Sequence, residues 1–342
     1  MAKIGDPGDT ILDSPPDDAI TSLHFNPQSS NQLLVSSWDS LVRLYEIDSA
    51  NVKSTIRHRA AVLSCAFDPD PRYGYSVGLD SWVRRMDLDT ERVVVLGAHE
   101  TAASSVLYSH STNQVITGSW DRTVKLWDPR KGNPKSLISS HEQPERVYSM
   151  DIVEYNLVVA ASSRVFIHYD IRKMDSPIEA RPSPLKFTTS SVKVMPGSEG
   201  FAAGTVEGRV AIEYFDKSPE AQAHKYAFKC HRQTIPEGDL VYPINALAFH
   251  PVHKTMATAG SDGTVAVWDH RAKKRVKLYQ RMPTAVSAVA FSSDGSKLAV
   301  GVSSMRDAVS DEQKRKLKER GDDPEVIAIV VKSVGDELKR KS

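Results

Sequence analysis

Gly118-Ser119-Trp120-Asp121-Arg122-Thr123-Val124-Lys125-Leu126-Trp127-Asp128 is the stretch on which the fold of this chain turns. It is a short β-rich run that ends in an aromatic residue followed by an acid. Gly260-Ser261-Asp262-Gly263-Thr264-Val265-Ala266-Val267-Trp268-Asp269 repeats it. The same ending occurs at Leu44-Tyr45-Glu46, Arg85-Met86-Asp87, His168-Tyr169-Asp170 and Tyr214-Phe215-Asp216. Successive acids lie 41, 41, 42, 46 and 53 residues apart. A fixed period of ~40–45 residues is that of a propeller blade, and the last two intervals read as the same blade with longer loops.

A second series sets the register. Short apolar runs open each unit at Ile20–Phe25, Val62–Phe67, Ala103–Tyr108, Val147–Ile152, Ser191–Met195, Ile244–Phe249 and Val286–Phe291, seven in all. Several lead into turn signals, among them Phe25-Asn26-Pro27, Phe67-Asp68-Pro69 and Phe249-His250-Pro251. Four short strands per unit and seven units give an all-β fold, a closed seven-bladed β-propeller over residues 9–334. The seventh unit has inner strands at Val286–Phe291 and Lys297–Val302 and a third at Val326–Val331, with little chain left for a fourth. Asp9–Asp13 is expected to supply it and so lock the ring, because an unpaired gap between blades would leave open strand edges. Residues 1–8 and 335–342 read as flexible ends. Segment 303–325, with Glu312–Arg320 densely charged, reads as a charged loop or short helix inserted in the last blade.

Composition narrows the function. Lys+Arg at 44 nearly balance Asp+Glu at 43, which argues against a duplex-DNA binder. Two cysteines, Cys65 and Cys230, support neither a disulfide framework nor a zinc site and fit a reducing compartment. No stretch approaches the ~18 apolar residues of a membrane span, and Met1–Asp9 lacks the apolar core of a secretory signal, so a soluble intracellular protein is expected. No HExxH, P-loop, nucleophile elbow or kinase signature occurs, so no enzyme activity and no cofactor are expected.

The two quoted stretches resemble the WD-repeat family. In that family a His in the loop before a blade bonds an Asp in the turn between its second and third strands. His58 with Asp80 and His99 with Asp121, each 22 residues apart, match that pair, and His231 with Asp262 matches it across a longer loop. Repetition argues that these His and Asp residues serve the fold rather than acid–base chemistry or a metal.

Trp127 and Trp268 end third strands and belong to the core, and Trp82 aligns with a strand residue. Trp38 and Trp120 differ: each sits in Ser-Trp-Asp, at a turn on the top face near the central channel. Two large aromatics are thus expected side by side across neighbouring blades. Exposed Trp is costly in water and enriched at interface hot spots, which favours a partner over covering loops. In the expanded segment 217–242, Lys229, His231 and Arg232 place cationic donors near one blade edge. They suit an anionic or phosphorylated ligand, or equally a solvated strand edge charged against aggregation.

Four further stretches narrow the resemblance: Leu34-Val35-Ser36-Ser37-Trp38-Asp39, Glu207–Tyr214, Tyr226-Ala227-Phe228-Lys229-Cys230-His231-Arg232 and Val241–Ala246. Together they are similar to the Bub-type spindle-checkpoint propellers and their relatives, the Rae-type mRNA-export propellers, from about Asp17 to Val331, with the checkpoint branch favoured. That resemblance implies a monomeric adaptor working in hetero-complexes, in the nucleus and at the mitotic kinetochore. It implies binding to a Glu-rich GLEBS segment of checkpoint kinases of the Bub and Mad families through Trp38 and Trp120, with Glu220 touching it. It further implies recognition of phosphorylated Met-Glu-Leu-Thr repeats of the kinetochore scaffold through Arg232 and Lys254. The export branch would instead bind a nucleoporin GLEBS segment and single-stranded RNA.

Overall fold

The apolar runs that open the units become the innermost strands of seven four-stranded antiparallel sheets. The computed structural model describes residues 4–236, 238–304, 323 and 325–339; nearly all of the 303–325 insertion lies outside them. Blades 1 to 6 start at Ile20, Val62, Ala103, Val147, Thr189 and Ile244, and each runs in chain order from the channel outward. The chain is an all-β seven-bladed propeller, as its period predicts.

The second strand of each blade is covered on both faces, so it reads as an unbroken apolar run rather than an alternation. Gly200–Thr205 and Met256–Gly260 are buried at every position. The core is divided into seven clusters, one in each seam between consecutive blades. Leu34 and Ile56 of blade 1 pack on Phe67 and Met86 of blade 2, for example, and Phe166 of blade 4 meets Phe201 of blade 5 edge to face. No blade has a core of its own, so each is stable only between its neighbours.

A polar device also ties the seams. In all seven blades the first two strands slip by one residue at the top of the innermost strand. Such a bulge re-aims the extra side chain. Thr21, Ser104 and Asn245 use it to donate to the main-chain carbonyl of the next blade, at 2.8, 2.7 and 2.8 Å. Ser190 does the same to Ile244, and Ile20 N–H of blade 1 donates to Ser303 Oγ of blade 7 at 3.0 Å. Where the bulged residue is Leu63 or Tyr148, the next residue takes over: Ser64 accepts from Val106 N–H and Ser149 from Val192 N–H. Every seam therefore carries a hydrogen bond beside the channel.

Closure uses the first strand and the last. Thr10–Ile11 pairs antiparallel with Ala328–Ser333 as the outermost strand of blade 7, with Thr10 opposite Val331. Leu12, 1% exposed, follows it into the seam. Lys332 is buried beneath this strand, its Nζ 2.9 Å from Asp6 Oδ2 and 2.5 Å from Asp9 Oδ2. Both ends reach further into the fold than the expected boundaries of 9 and 334. Ile4 packs on the core between blades 6 and 7, and Asp336–Leu338 forms a 3-10 turn that buries Leu338 completely.

Buried imidazoles make the fold sensitive to acid. Burial is the main reason that His58, His168 and His250 are each held near a pKa of about 4, with Arg84, Arg181 and His253 respectively adding repulsion. Unfolding frees each to bind a proton at its ordinary value of about 6.5. Their contribution is thus fully present above pH 6.5 and is lost as pH falls toward 4. Urea midpoints measured from pH 7.5 to 4.5 should fall steadily below 6.5; a flat profile would refute this.

Candidate functional site

Antiparallel strands give each blade two ends. The turns between second and third strands and the links between blades share the upper end, and the remaining turns share the lower. Trp38, Trp120, Asp80, Asp121, Asp262 and Glu207 stand in upper turns; His58, His99, Lys229, His231 and Arg232 border or stand in upper links.

Two of the three His–Asp pairs close there. His99 Nδ1 is 2.9 Å from Asp121 Oδ2 and its Nε2 is 2.7 Å from Thr117 Oγ1, which also takes the indole N–H of Trp127 at 2.8 Å. His231 repeats this with Asp262 at 2.9 Å and Thr258 at 2.8 Å, and Thr258 receives the Trp268 indole. Gly260 leaves room for it: a Cβ there would lie 2.4 Å from His231 Nδ1. Burial lowers the His99 pKa, and the Asp121 hydrogen bond only partly offsets this. The His58–Asp80 bond expected by analogy is not made. Arg84, a residue whose counterpart in blade 3 is Lys125, reaches back to Asp80 with both terminal nitrogens, while His58 Nε2 keeps the contact that His99 makes to Thr117, here to Ser76 Oγ at 2.7 Å. Burial pushes the Asp80 carboxyl up, but the Arg84 hydrogen bonds and charge, the Trp82 N–H and His58 together outweigh it and hold the pKa below the ordinary value.

Trp38 and Trp120 are both half-buried on the upper end. Their backbone N–H groups are held by Ala19 and Ala102, whereas no indole hydrogen bond ties either ring among the described residues, unlike the core tryptophans. They are not on neighbouring blades. Trp38 belongs to blade 1 and Trp120 to blade 3, and between them blade 2 presents Trp82 with the Arg59 guanidinium 4.2 Å from its ring centroid. The same end carries exposed apolar side chains that sequence reasoning missed: Tyr148 of blade 4, Phe187 in the next link, and Val206 of blade 5. Tyr148 was hidden because an inner-strand position reads as core; only the bulge turns it outward.

The basic residues sort into two ends. Lys229 lies directly opposite Arg209 in adjacent strands of blade 5. Like charges placed so repel each other, and Glu207 relieves part of the cost, its carboxylate 3.5 Å from Arg209 Nε and 4.0 Å from Arg232 Nη2. Arg209 was not singled out in the sequence, because its register opposite Lys229 is set across a long connection that holds the helix Pro219–Gln222. Arg232 joins them from the link, donating from Nη2 to Glu207 O at 2.9 Å. Gly208 shapes this corner at φ +63°, where a Cβ would strike the Cys230 carbonyl at 2.6 Å. His231 does not face outward with them, since both ring nitrogens are engaged and the side chain is buried. Lys254 stands in the turn between Ile244–Phe249 and Met256–Gly260, at the lower end, the opposite end from Arg232. Glu220, in the short helix Pro219–Gln222 between the third and fourth strands of blade 5, is also at the lower end, away from Trp38 and Trp120.

Among the described residues no group of His, Cys, Asp and Glu is placed to hold a metal, and no helix is long and apolar enough to cross a membrane. A closed ring of seven four-stranded blades is the architecture of a WD-repeat propeller, and the WD domain, G-beta repeat, family matches residues 10–46, 90–128 and 228–269. The mitotic checkpoint protein BUB3.1 of Arabidopsis thaliana is 48% identical, covering 85% of this chain and 86% of its own. The spindle assembly checkpoint protein bub3 of Schizosaccharomyces pombe is 34% identical, over 85% and 90%. The mRNA export factor GLE2 of Chaetomium thermophilum is 37% identical, over 86% and 84%. The chain belongs to the Bub-type family of mitotic checkpoint propellers.

Proposed function

We propose that the protein is a non-enzymatic spindle-checkpoint adaptor, working in the nucleus and at kinetochores, that holds a checkpoint-kinase GLEBS segment on its upper end and a phosphorylated Met-Glu-Leu-Thr repeat on blade 5. The observation that carries this reading is the pairing of two unbonded, half-buried tryptophans with a cross-strand cationic pair at one end of the ring. Trp38 and Trp120 anchor the kinase segment, and Tyr148, Phe187 and Val206 extend an apolar path from them toward blade 5. Arg209, Lys229 and Arg232 receive the phosphate. A dianion gains charge-assisted hydrogen bonds that a neutral threonine cannot make, so recruitment is switched by a kinase.

Calorimetry with phosphorylated and unphosphorylated repeat peptides tests it. The phosphopeptide should bind selectively, and Arg209→Ala, Lys229→Ala or Arg232→Ala should each weaken it about tenfold or more, the worth of a hydrogen bond to a charged group. Lys254→Ala should change nothing. Loss of binding in Lys254→Ala with Arg209→Ala unaffected would move the phosphate to the other end and refute this assignment. The identity to an export factor supports a second reading, in which a nucleoporin GLEBS segment and single-stranded RNA bind. Absence of phosphopeptide binding together with RNA binding would favour it.

A further inference from the structure

Every blade ends in an outer strand whose far edge has no strand beside it. Such an edge invites another chain, and proteins blunt it with lysine, proline or brevity. Most of the seven are blunted here. Asn51–Arg57 exposes Lys53, and Glu91 Oε1 caps its Thr55 N–H at 3.0 Å. Glu179–Pro182 holds Arg181 and a proline, Tyr226–Lys229 ends on a lysine, Lys274–Leu278 opens on two cations, and Thr10–Ile11 is a short strand. Val93–Ala98 of blade 2 and Leu137–Glu142 of blade 3 are the exceptions. The first has neither a charged residue nor a proline, and the second has no lysine, arginine or proline. Both begin at the lower end with aliphatic pairs, Val93-Val94 and Leu137-Ile138, which are 38% to 53% exposed.

The two strands face one seam. Directly opposed residues of adjacent strands share a face. Val94 is opposite Arg85, and Arg85 is opposite Tyr75, which packs in the seam with blade 3. Leu137 is opposite Trp127, which packs in that seam from the other side. Val94 and Leu137 therefore flank its outer mouth. Ser136 Oγ donates to the Leu96 carbonyl and ties the strands together there, and Lys125 Nζ takes the Ala98 carbonyl at 3.0 Å. Among the described residues no hydrogen bond reaches the far edge of Val93–Val95, so main-chain donors and acceptors stand open beside the aliphatic side chains.

The charge around the mouth is positive. Arg92 and Lys135 precede the two aliphatic pairs, both are exposed, and neither has an ion-pair partner among the described residues. The acids nearby are already engaged: Asp87 with Arg72 at 2.7 Å, Asp89 with Lys53 at 3.0 Å and Asp128 with Arg130 at 2.8 Å. We propose that this mouth docks an extended segment of another protein, with aliphatic residues at alternate positions and an acid at each end. The segment adds to blade 2 as a fifth strand along Val93–Val95. Its alternate side chains lie on Val94, Leu137 and Ile138, and its acids meet Arg92 and Lys135. The site is at the opposite end of the ring from Trp38 and Trp120, so its occupant leaves the upper end open.

Nitrogen-15 NMR titration of the deuterated full chain tests this, with the capped peptide Asp-Val-Thr-Val-Thr-Val-Glu and a control carrying lysine in place of both acids. The acidic peptide should give saturable shifts at Val93–Val95, Leu137 and Ile138. The control should bind about tenfold more weakly, two ion pairs having become two repulsions. Arg92→Glu combined with Lys135→Glu should reverse that order. Val94→Glu gains Arg85 as a cross-strand partner, so its thermal unfolding should match the parent's while the acidic peptide binds about tenfold or more weakly, the worth of covering a valine. Absence of saturable shifts at these residues, or equal binding of the two peptides, would overturn the proposal. A concentration-dependent dimer of the chain that Val94→Glu dissociates would also overturn it, and would make a second copy the occupant.

Discussion

Replacing Trp38 and Trp120 together by alanine is expected to weaken binding of a checkpoint-kinase GLEBS segment by more than about 100-fold, since interface tryptophans are among the largest hot spots. The fold should be untouched. Both rings are half-buried and neither indole N–H holds another element, so thermal unfolding of the double variant should overlay that of the parent. Trp127 is the contrast: it is 2% exposed and bonded to Thr117, and its loss should cost about 3–5 kcal/mol. Calorimetry with the peptide and a thermal melt decide the matter together. An unfolded double variant would place the two rings in the core, and unchanged affinity would place the partner elsewhere.

A large effect on stability is expected at the clasp. Asp6→Ala with Asp9→Ala leaves the Lys332 ammonium buried without a counter-charge, a change that typically costs about 3–5 kcal/mol. Adding Lys332→Met to that pair should restore most of the loss, because an apolar side chain of similar length fills the same space without a charge to solvate. Urea unfolding of the three variants checks this. If the triple variant is no more stable than the double one, the ion triad is not what holds the strand.

Much of this was legible in the residues, for identifiable reasons. The ring, its seven units and its closing strand follow from a period, and a period survives variation at any single site. The His99–Asp121 and His231–Asp262 bonds were readable because their donors and acceptors stand at repeated places. What failed was each inference that needed a side chain's direction. Asp80 went to Arg84 because a longer cation four residues on could reach it, which spacing to His58 does not reveal. Trp38 and Trp120 were placed side by side although a whole blade separates them. Glu220 and Lys254 came from the resemblance alone; simple topology already puts Lys254 in a turn at the other end of its blade from Arg232, and the structure places Glu220 at that lower end as well. The hydrogen bonds across the seams were missed because a bulge, not the residue type, aims Thr21 and Asn245 at the next blade.

The strand that closes the ring also sets a timetable for making the protein. Thr10 and Ile11 leave a ribosome more than three hundred residues before their partners Val331 and Val330. Until then the growing chain is an open arc with an uncovered seam at each side, and its opening residues have nothing to pair with. Non-local pairing of this span is slow, and exposed strand edges invite the wrong neighbour while it waits. The ring is therefore made whole only after residues 328–333 have been synthesised, and a nascent chain released short of residue 330 would carry six intact blades and no means of joining their ends.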